Sequence, residues 1–199
     1  MIYTVHSIFH TLQGEGVHSG KVAVFVRFAG CNLWSGREAQ RTRAVCKFCD
    51  TQFVGGQRMT RQQIIDEVSR YPGMIVFTGG EPGLQLDAEL VRALQKRGRY
   101  VAIETNGTRP VPTMLDWVCV SPKAGTTIVL DCADELKLVY PQQGMEPWLA
   151  SARIRAPHQW LSPMDGPDWQ ANASAAIAYA KMDDRWRVNI QAHKFWGVE

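Results

Sequence analysis

The sequence predicts an α/β fold in which parallel strands are covered by helices. Three observations carry that expectation. Short apolar runs without alternation (MIVFT, YVAIE, ELKLVY) recur along the chain, as strands buried on both faces do. Amphipathic helical segments separate several of them, giving β-loop-α repetition. Ligand-type residues fall repeatedly just after these runs: Cys31, Gly79 to Glu81, Glu104 to Asn106 and Ser121 to Lys123. That rim is where α/β sheets assemble their sites.

In chain order, KVAVFVRFAG reads as a β-branched and aromatic strand ending at Gly30, which puts Cys31 just past its terminus. MTRQQIIDEVSRYPG reads as a helix with Thr60 as N-cap, Gln63 completing a capping box, and Ile64, Ile65 and Val68 on its inner face. Pro72-Gly73 is its expected stop. The strand MIVFT follows, then the turn GGEPG. LDAELVRALQKRG is a second amphipathic helix, capped by Asp87 and ended by Gly98. YVAIE, DWVCVS and ELKLVY are further strands, ASAAIAYAKM a helix, and WRVNIQ a last strand. Eight βα units require roughly 250 residues. The 199 residues of this chain therefore predict a single domain, 1–199, built as an incomplete TIM-like barrel or curved open sheet.

The totals exclude several function classes. Lys plus Arg is 22 against 19 for Asp plus Glu, a formal charge of only +3, which argues against nucleic acid as partner. The seven tryptophans are scattered and form no stacking module. No run of eighteen apolar residues predicts a membrane span. MIYTVHSIFH lacks a basic start and a long apolar core, so no signal peptide is expected. Five cysteines, an odd and low number, disfavour a secreted disulfide framework, and a cytoplasmic location is expected.

Cys119, in DWVCVS, reads as a buried core thiol and Cys132 as core or surface. The other three are Cys31, Cys46 and Cys49, with the polar and basic insert 32–45 between the first and the C-K-F-C pair. On the thiols alone, zinc, an iron–sulfur cluster and thiol redox chemistry all stay open. A zinc-stabilised module using Arg37, Arg41, Arg43 and Lys47 on phosphates is one alternative. The strand ends add weight to a small-molecule site. Gly79, Gly80 and Glu81 offer flexible backbone and a carboxylate, Glu104 ends the next strand before Asn106, and Ser121 with Lys123 suits a carboxylate. Arg27, inside an apolar strand, needs either a salt-bridge partner or a ligand carboxylate. Gln13 and Glu15 sit between glycines in TLQGEG, and Gln191 and His193 fall at alternate positions of the expected last strand exit.

Taken together, TLQGEG, the cysteine loop ending KFCDT, TGGEP, IETNG, VSPK, ELKLVYP, LSPMDG and QAHKFWG resemble the radical S-adenosylmethionine (SAM) superfamily. Within it they resemble the 7-carboxy-7-deazaguanine synthase family of queuosine precursor biosynthesis. The resemblance implies a fold of radical SAM type and a [4Fe–4S] cluster held by Cys31, Cys46 and Cys49, with SAM on the remaining iron. The superfamily's usual spacing is C-x3-C-x2-C; this chain has C-x14-C-x2-C, a longer first gap that the synthase family tolerates. The same resemblance assigns SAM to Gly79, Gly80, Glu81, Glu104, Asn106, Ser121, Lys123, Gln159 and Ser162. It assigns the substrate to Leu12, Gln13, Glu15, Arg27, His193 and Glu199, and Mg²⁺ to Thr51. The implied reaction is a radical ring contraction of 6-carboxy-5,6,7,8-tetrahydropterin to 7-carboxy-7-deazaguanine, releasing ammonia and regenerating SAM, a lyase chemistry. A flavodoxin- or ferredoxin-type electron donor and a homodimer are implied partners.

Overall fold

The computed structural model describes residues 1–199. Its strands are β1 (Ile2–Leu12), β2 (Val22–Phe28), β3 (Gln57–Thr60), β4 (Met74–Gly79), β5 (Val101–Thr105), β6 (Trp117–Val120), β7 (Glu135–Tyr140), β8 (His158–Pro163) and β9 (Trp186–Val188). Its helices are α1 (Arg61–Val68), α2 (Ala88–Gln95), α3 (Pro147–Arg153), α4 (Trp169–Met182) and α5 (Ala192–Trp196). All nine strands form one sheet in the order β3-β1-β2-β4-β5-β6-β7-β8-β9. The two ends of that order do not pair with each other, so the sheet is open and barrel-like, not closed.

From β2 to β9 every neighbour is parallel. The expected all-parallel sheet is corrected at one edge, where β1 lies antiparallel to β2 and β3 antiparallel to β1. The segment IYTVHSIFHTL buries Tyr3 and Val5 and leaves the intervening residues more accessible. That alternation is what a strand with one solvated face shows, and not the continuous apolar run of the inner strands. The helical covering is also thinner than the repeat implied. No α-helix links β5 to β6 or β6 to β7. The first of these links carries Pro110 and Pro112, each of which removes a backbone donor and fixes φ.

The helices form for the reasons their sequences give. Thr60 caps α1: its hydroxyl accepts from the Gln63 N–H, and the Gln63 side chain accepts from the Thr60 N–H at 2.8 Å. Asp87 caps α2, accepting from the Leu90 N–H at 2.8 Å. α1 stops at Val68, short of Pro72. Ile64, Leu90 and Leu94 pack with Tyr3, Phe28 and Phe77 in one core, each fully buried. Burial of an aliphatic or aromatic side chain of this kind contributes roughly 1.5–3 kcal/mol. A second core gathers Leu136, Leu138, Met145, Leu161 and Trp186 around β7, β8, α3 and α4. Together the two cores fix the register that matters for the site. Phe28 pairs with Gly79, Thr105 with Val120, and Tyr140 with Pro163, so the C-terminal ends of these strands share one rim. No helix is long and apolar enough to cross a membrane.

Candidate active site

Two cavities open on that rim, of about 220 and 450 Å³. The first is lined by Cys31, Cys46 and Cys49, which all carry free thiols. The insert packs over them. Trp34, Ala44 and Phe53 form a small apolar cluster against Cys31 and Cys49. The insert 32–45, expected to have no helical period, forms a 3-10 turn over Glu38–Arg43 with no buried residue. Arg41 joins this cover to the thiols. It stacks over Trp34 at 4.1 Å and donates to the carbonyls of Lys47 at 2.8 Å and Cys49 at 3.0 Å. With Glu38 also paired to it, Arg41 is committed inward and not presented for phosphate binding.

The donor set suits a cubane better than a single ion. Three thiols line the one cavity, and a cubane takes one thiolate per iron while a structural zinc takes four ligands. Cys119 is buried against Glu135, and Cys132 is exposed in a bridge to Arg155, so neither supplies a fourth thiol. Hydrogen bonding from Cys46 brings Cys49 down to about 6, and burial pushes Cys31 up.

The turn after β4 is built against the cysteine loop. Glu81 N–H donates to the Gly30 carbonyl at 3.0 Å, and Gly80 N–H to that of Phe28 at 3.3 Å. A Cβ on Gly80 would run into the Gly30 carbonyl and Cys31, so only glycine fits there. Glu81 is fully buried and does not line the cavity. It accepts from Gly83 N–H at 2.7 Å, Thr105 Oγ1 at 2.6 Å and Asn106 N–H at 2.8 Å. Burial holds its carboxyl above the usual range. It therefore shapes the wall from behind, and Gly79, Gly80 and Asn106 face the space. Ser121 and Lys123 stand opposite, where the Lys123 ammonium donates to the Ser121 hydroxyl at 2.7 Å and carbonyl at 2.6 Å. Lys123 forms no ion pair with a carboxylate of this chain, and burial lowers its pKa. A cation so placed suits an anionic ligand group. Ser162 lines the same cavity. Gln159 does not. It lies near the opposite end of β8, bonded to the Ser151 hydroxyl at 2.7 Å and the Ala156 carbonyl at 3.2 Å, because it sits three positions upstream of Ser162.

Leu12, Gln13, Glu15, Arg27, His193 and Glu199 all line the second cavity. Arg27 makes no salt bridge. Its guanidinium lies over Phe9 at 5.1 Å, and its Nε is buried without a partner. His193 sits on the helix α5, not on a strand exit. α5 docks by an Ala192 N–H to Gly14 carbonyl bond of 2.9 Å, and a side chain on Gly14 would collide with His193. The Glu199 main-chain oxygen accepts from Thr11 Oγ1 at 2.8 Å.

The two cavities meet along one wall. Glu15, Asp50, Thr51, Thr78, Glu104 and Gln191 line both. On the side of the cysteine cavity Lys137 donates to Glu15 and, at 3.1 Å, to Glu104, whose other oxygen accepts from Gln13 Nε2 at 2.8 Å. Burial alone would raise the Glu104 pKa, but Lys137 and Gln13 outweigh it and hold the carboxyl below its usual range. Sequence reading passed over Lys137, although a lone lysine in ELKLVY carries the same signal that marked Arg27. It also missed Lys194, which ties α5 to Asp50 at 3.0 Å and to Asp165 at 2.5 Å beside the cysteine cavity.

Residues 41–131 match the radical SAM superfamily. The match begins inside the insert, so it includes Cys46 and Cys49 and leaves out Cys31. Over its whole length the chain is 47% identical to the 7-carboxy-7-deazaguanine synthase of Caulobacter vibrioides and 46% identical to that of Bordetella pertussis, covering all of each. The chain belongs to the 7-carboxy-7-deazaguanine synthase family of the radical SAM superfamily. The crystal structure of QueE from Escherichia coli superposes with a TM-score of 0.74 at 26% identity, covering 97% of this chain and 95% of that one. In this chain the long cysteine spacing is a covered loop, with Trp34 packed against the thiols and Arg41 stacked on Trp34.

Proposed function

We propose that this chain converts 6-carboxy-5,6,7,8-tetrahydropterin to 7-carboxy-7-deazaguanine with release of ammonia. The observation that supports this most is the pair of adjoining cavities, three free thiols in one and an unpaired arginine in the other, sharing the Glu15–Glu104 wall. In this reading Cys31, Cys46 and Cys49 hold a [4Fe–4S] cluster. Gly79, Gly80, Asn106, Ser121, Lys123 and Ser162 hold SAM, with Glu81 bracing the turn. When bound and reduced, that pair would supply the radical hydrogen-transfer chemistry of the reaction.

The protein's own part is to bind, orient and exclude. Arg27 grips the substrate carboxylate, a planar fork matched to two oxygens. Gln13 and Glu15 present acceptors to the amino and ring N–H groups of the pterin, and so does Glu104, which lines both cavities and so stands beside SAM as well. Leu12, the α5 residue His193 and Glu199 line the same cavity. Holding the two cavities edge to edge converts a two-molecule encounter into an oriented one. Mg²⁺ belongs to the same reading, with the Thr51 hydroxyl as the protein group that would hold it. Thr51 and Asp50 both lie on the shared wall, which supports an oxygen-bound cation there. A flavodoxin- or ferredoxin-type electron donor, a homodimer and a cytoplasmic location belong to the same proposal.

The test is anaerobic reconstitution with iron and sulfide, then incubation with the carboxytetrahydropterin, SAM and a reductant. About four irons per chain, a brown protein, the deazapurine and one ammonia per product are expected. A loaded enzyme that leaves the pterin intact while cleaving SAM would assign the chain to another small molecule.

A further inference from the structure

We propose that Lys137 is a positioning residue for this reaction, bridging Glu15 and Glu104 across the wall between the two cavities and fixing both as ionised acceptors toward the substrate. The proposal rests on the reading of the second cavity as the substrate's. Lys137 lines the cysteine cavity but not the second one, whereas Glu15 and Glu104 line both. It therefore acts on the substrate side through the two carboxylates.

The sheet explains its aim. Leu136 and Leu138 point into the core under α3 and α4, so the intervening side chain points to the site face. There its side chain is only 10% exposed, and those of Glu15 and Glu104 are 13% and 23% exposed. One ammonium with three donors meets two acid groups, and Gln13 takes the remaining oxygen of Glu104. The other titratable groups that face this cluster are Glu135, Cys119, Lys123 and His193. None of them is hydrogen-bonded to Glu15 or Glu104, so Lys137 is the cation that joins the pair. Two carboxylates this close and this poorly hydrated do not both stay ionised without it. One would take up a proton and become a donor where the substrate's amino end also brings donors.

The experiment uses the apoprotein and 6-carboxypterin, a fluorescent oxidised analogue, titrated between about pH 5.5 and pH 7.5, above the ordinary carboxylate range. Wild type should bind with an affinity flat across this window. Lys137→Gln should bind ~10-fold more weakly at the low end and recover as pH rises and the shared proton is lost, since a charge-assisted bond is being restored. Lys137→Arg should keep the flat profile. If Lys137→Gln does not fold, the double variant Glu15→Gln/Lys137→Gln keeps the wall's net charge and has one carboxylate. It should show no pH dependence, and a pH-dependent double variant contradicts the proposal. Wild type binding normally with Lys137→Gln indistinguishable from it overturns the role of Lys137 alone. Wild type that does not bind the pterin overturns the substrate reading and this assignment with it.

Discussion

Arg41 and Cys49 are tied together by a 3.0 Å hydrogen bond from the guanidinium to the cysteine carbonyl, made while the guanidinium stacks on Trp34. The link joins the apparently featureless insert to the thiols it covers. Arg41→Ala should leave the fold intact and loosen the cysteine loop, with cluster retention against a chelator weakened ~10-fold, the scale of an outer-shell loss at a metal site. Arg41→Lys should not rescue it fully, because lysine lacks the planar fork and stacks poorly. Iron release followed by absorbance checks both; equal release from wild type and Arg41→Ala would show the insert to be passive.

Gly80 is a second point of contact between the strand rim and the cysteines. Gly80→Ala introduces a methyl against the Gly30 carbonyl and Cys31. Overpacking of this kind costs about 1–3 kcal/mol. A lowered Tm together with reduced iron content is expected, and an unchanged iron content would mean that the loop shifts freely.

Arg27 should separate substrate from cofactor. Its Nε is buried without a partner, so removing the side chain breaks no salt bridge of the fold. Arg27→Ala should raise KM for the carboxypterin by at least ~10-fold, consistent with loss of a charge-assisted carboxylate bond of ~1.5–3 kcal/mol. SAM affinity, measured in the absence of substrate, should stay within about twofold. Arg27→Lys should behave more like alanine than like arginine.

Lys194 gives a pH signature. Its hydrogen bond to Asp165 holds that carboxyl below the ordinary aspartate range. A depressed acid stabilises the fold above its unfolded pKa of ~3.9 and loses that contribution as pH falls through the lower folded value. The pair is well exposed, so the effect is small, ~0.2–1 kcal/mol. The Tm difference between wild type and Lys194→Ala should be about 2 °C at neutral pH and should vanish in acid. A difference that grows on acidification would reverse the sign assigned here.

The elements legible in the sequence were those where one physical signal acts alone. Thr60 and Gln63 announced α1, and MIVFT announced β4, because capping and continuous apolar burial are local. β1 went unread because its strand pairs antiparallel at an edge, and its single buried face left a broken pattern around His6 and His10. β8 and α3 were missed because HQWLSP and PWLASAR are short and mixed. At the site, the cysteines, Lys123 and Arg27 were legible as groups needing partners. Glu81 lies in the turn after β4 but is buried behind the cavity wall, and no local pattern tells which way a strand-end carboxylate turns. Lys137 carries a sequence signal of its own as the lone lysine of ELKLVY, whereas Lys194 becomes visible only when α5 meets Asp50 and Asp165.

The most direct test of the whole account is a count of product against SAM. Reconstituted protein, limiting SAM, excess 6-carboxy-5,6,7,8-tetrahydropterin and reductant should give 7-carboxy-7-deazaguanine in clear excess over the SAM supplied, with one ammonia for each product. Absence of the deazapurine, or release of one 5′-deoxyadenosine per turnover, would contradict it.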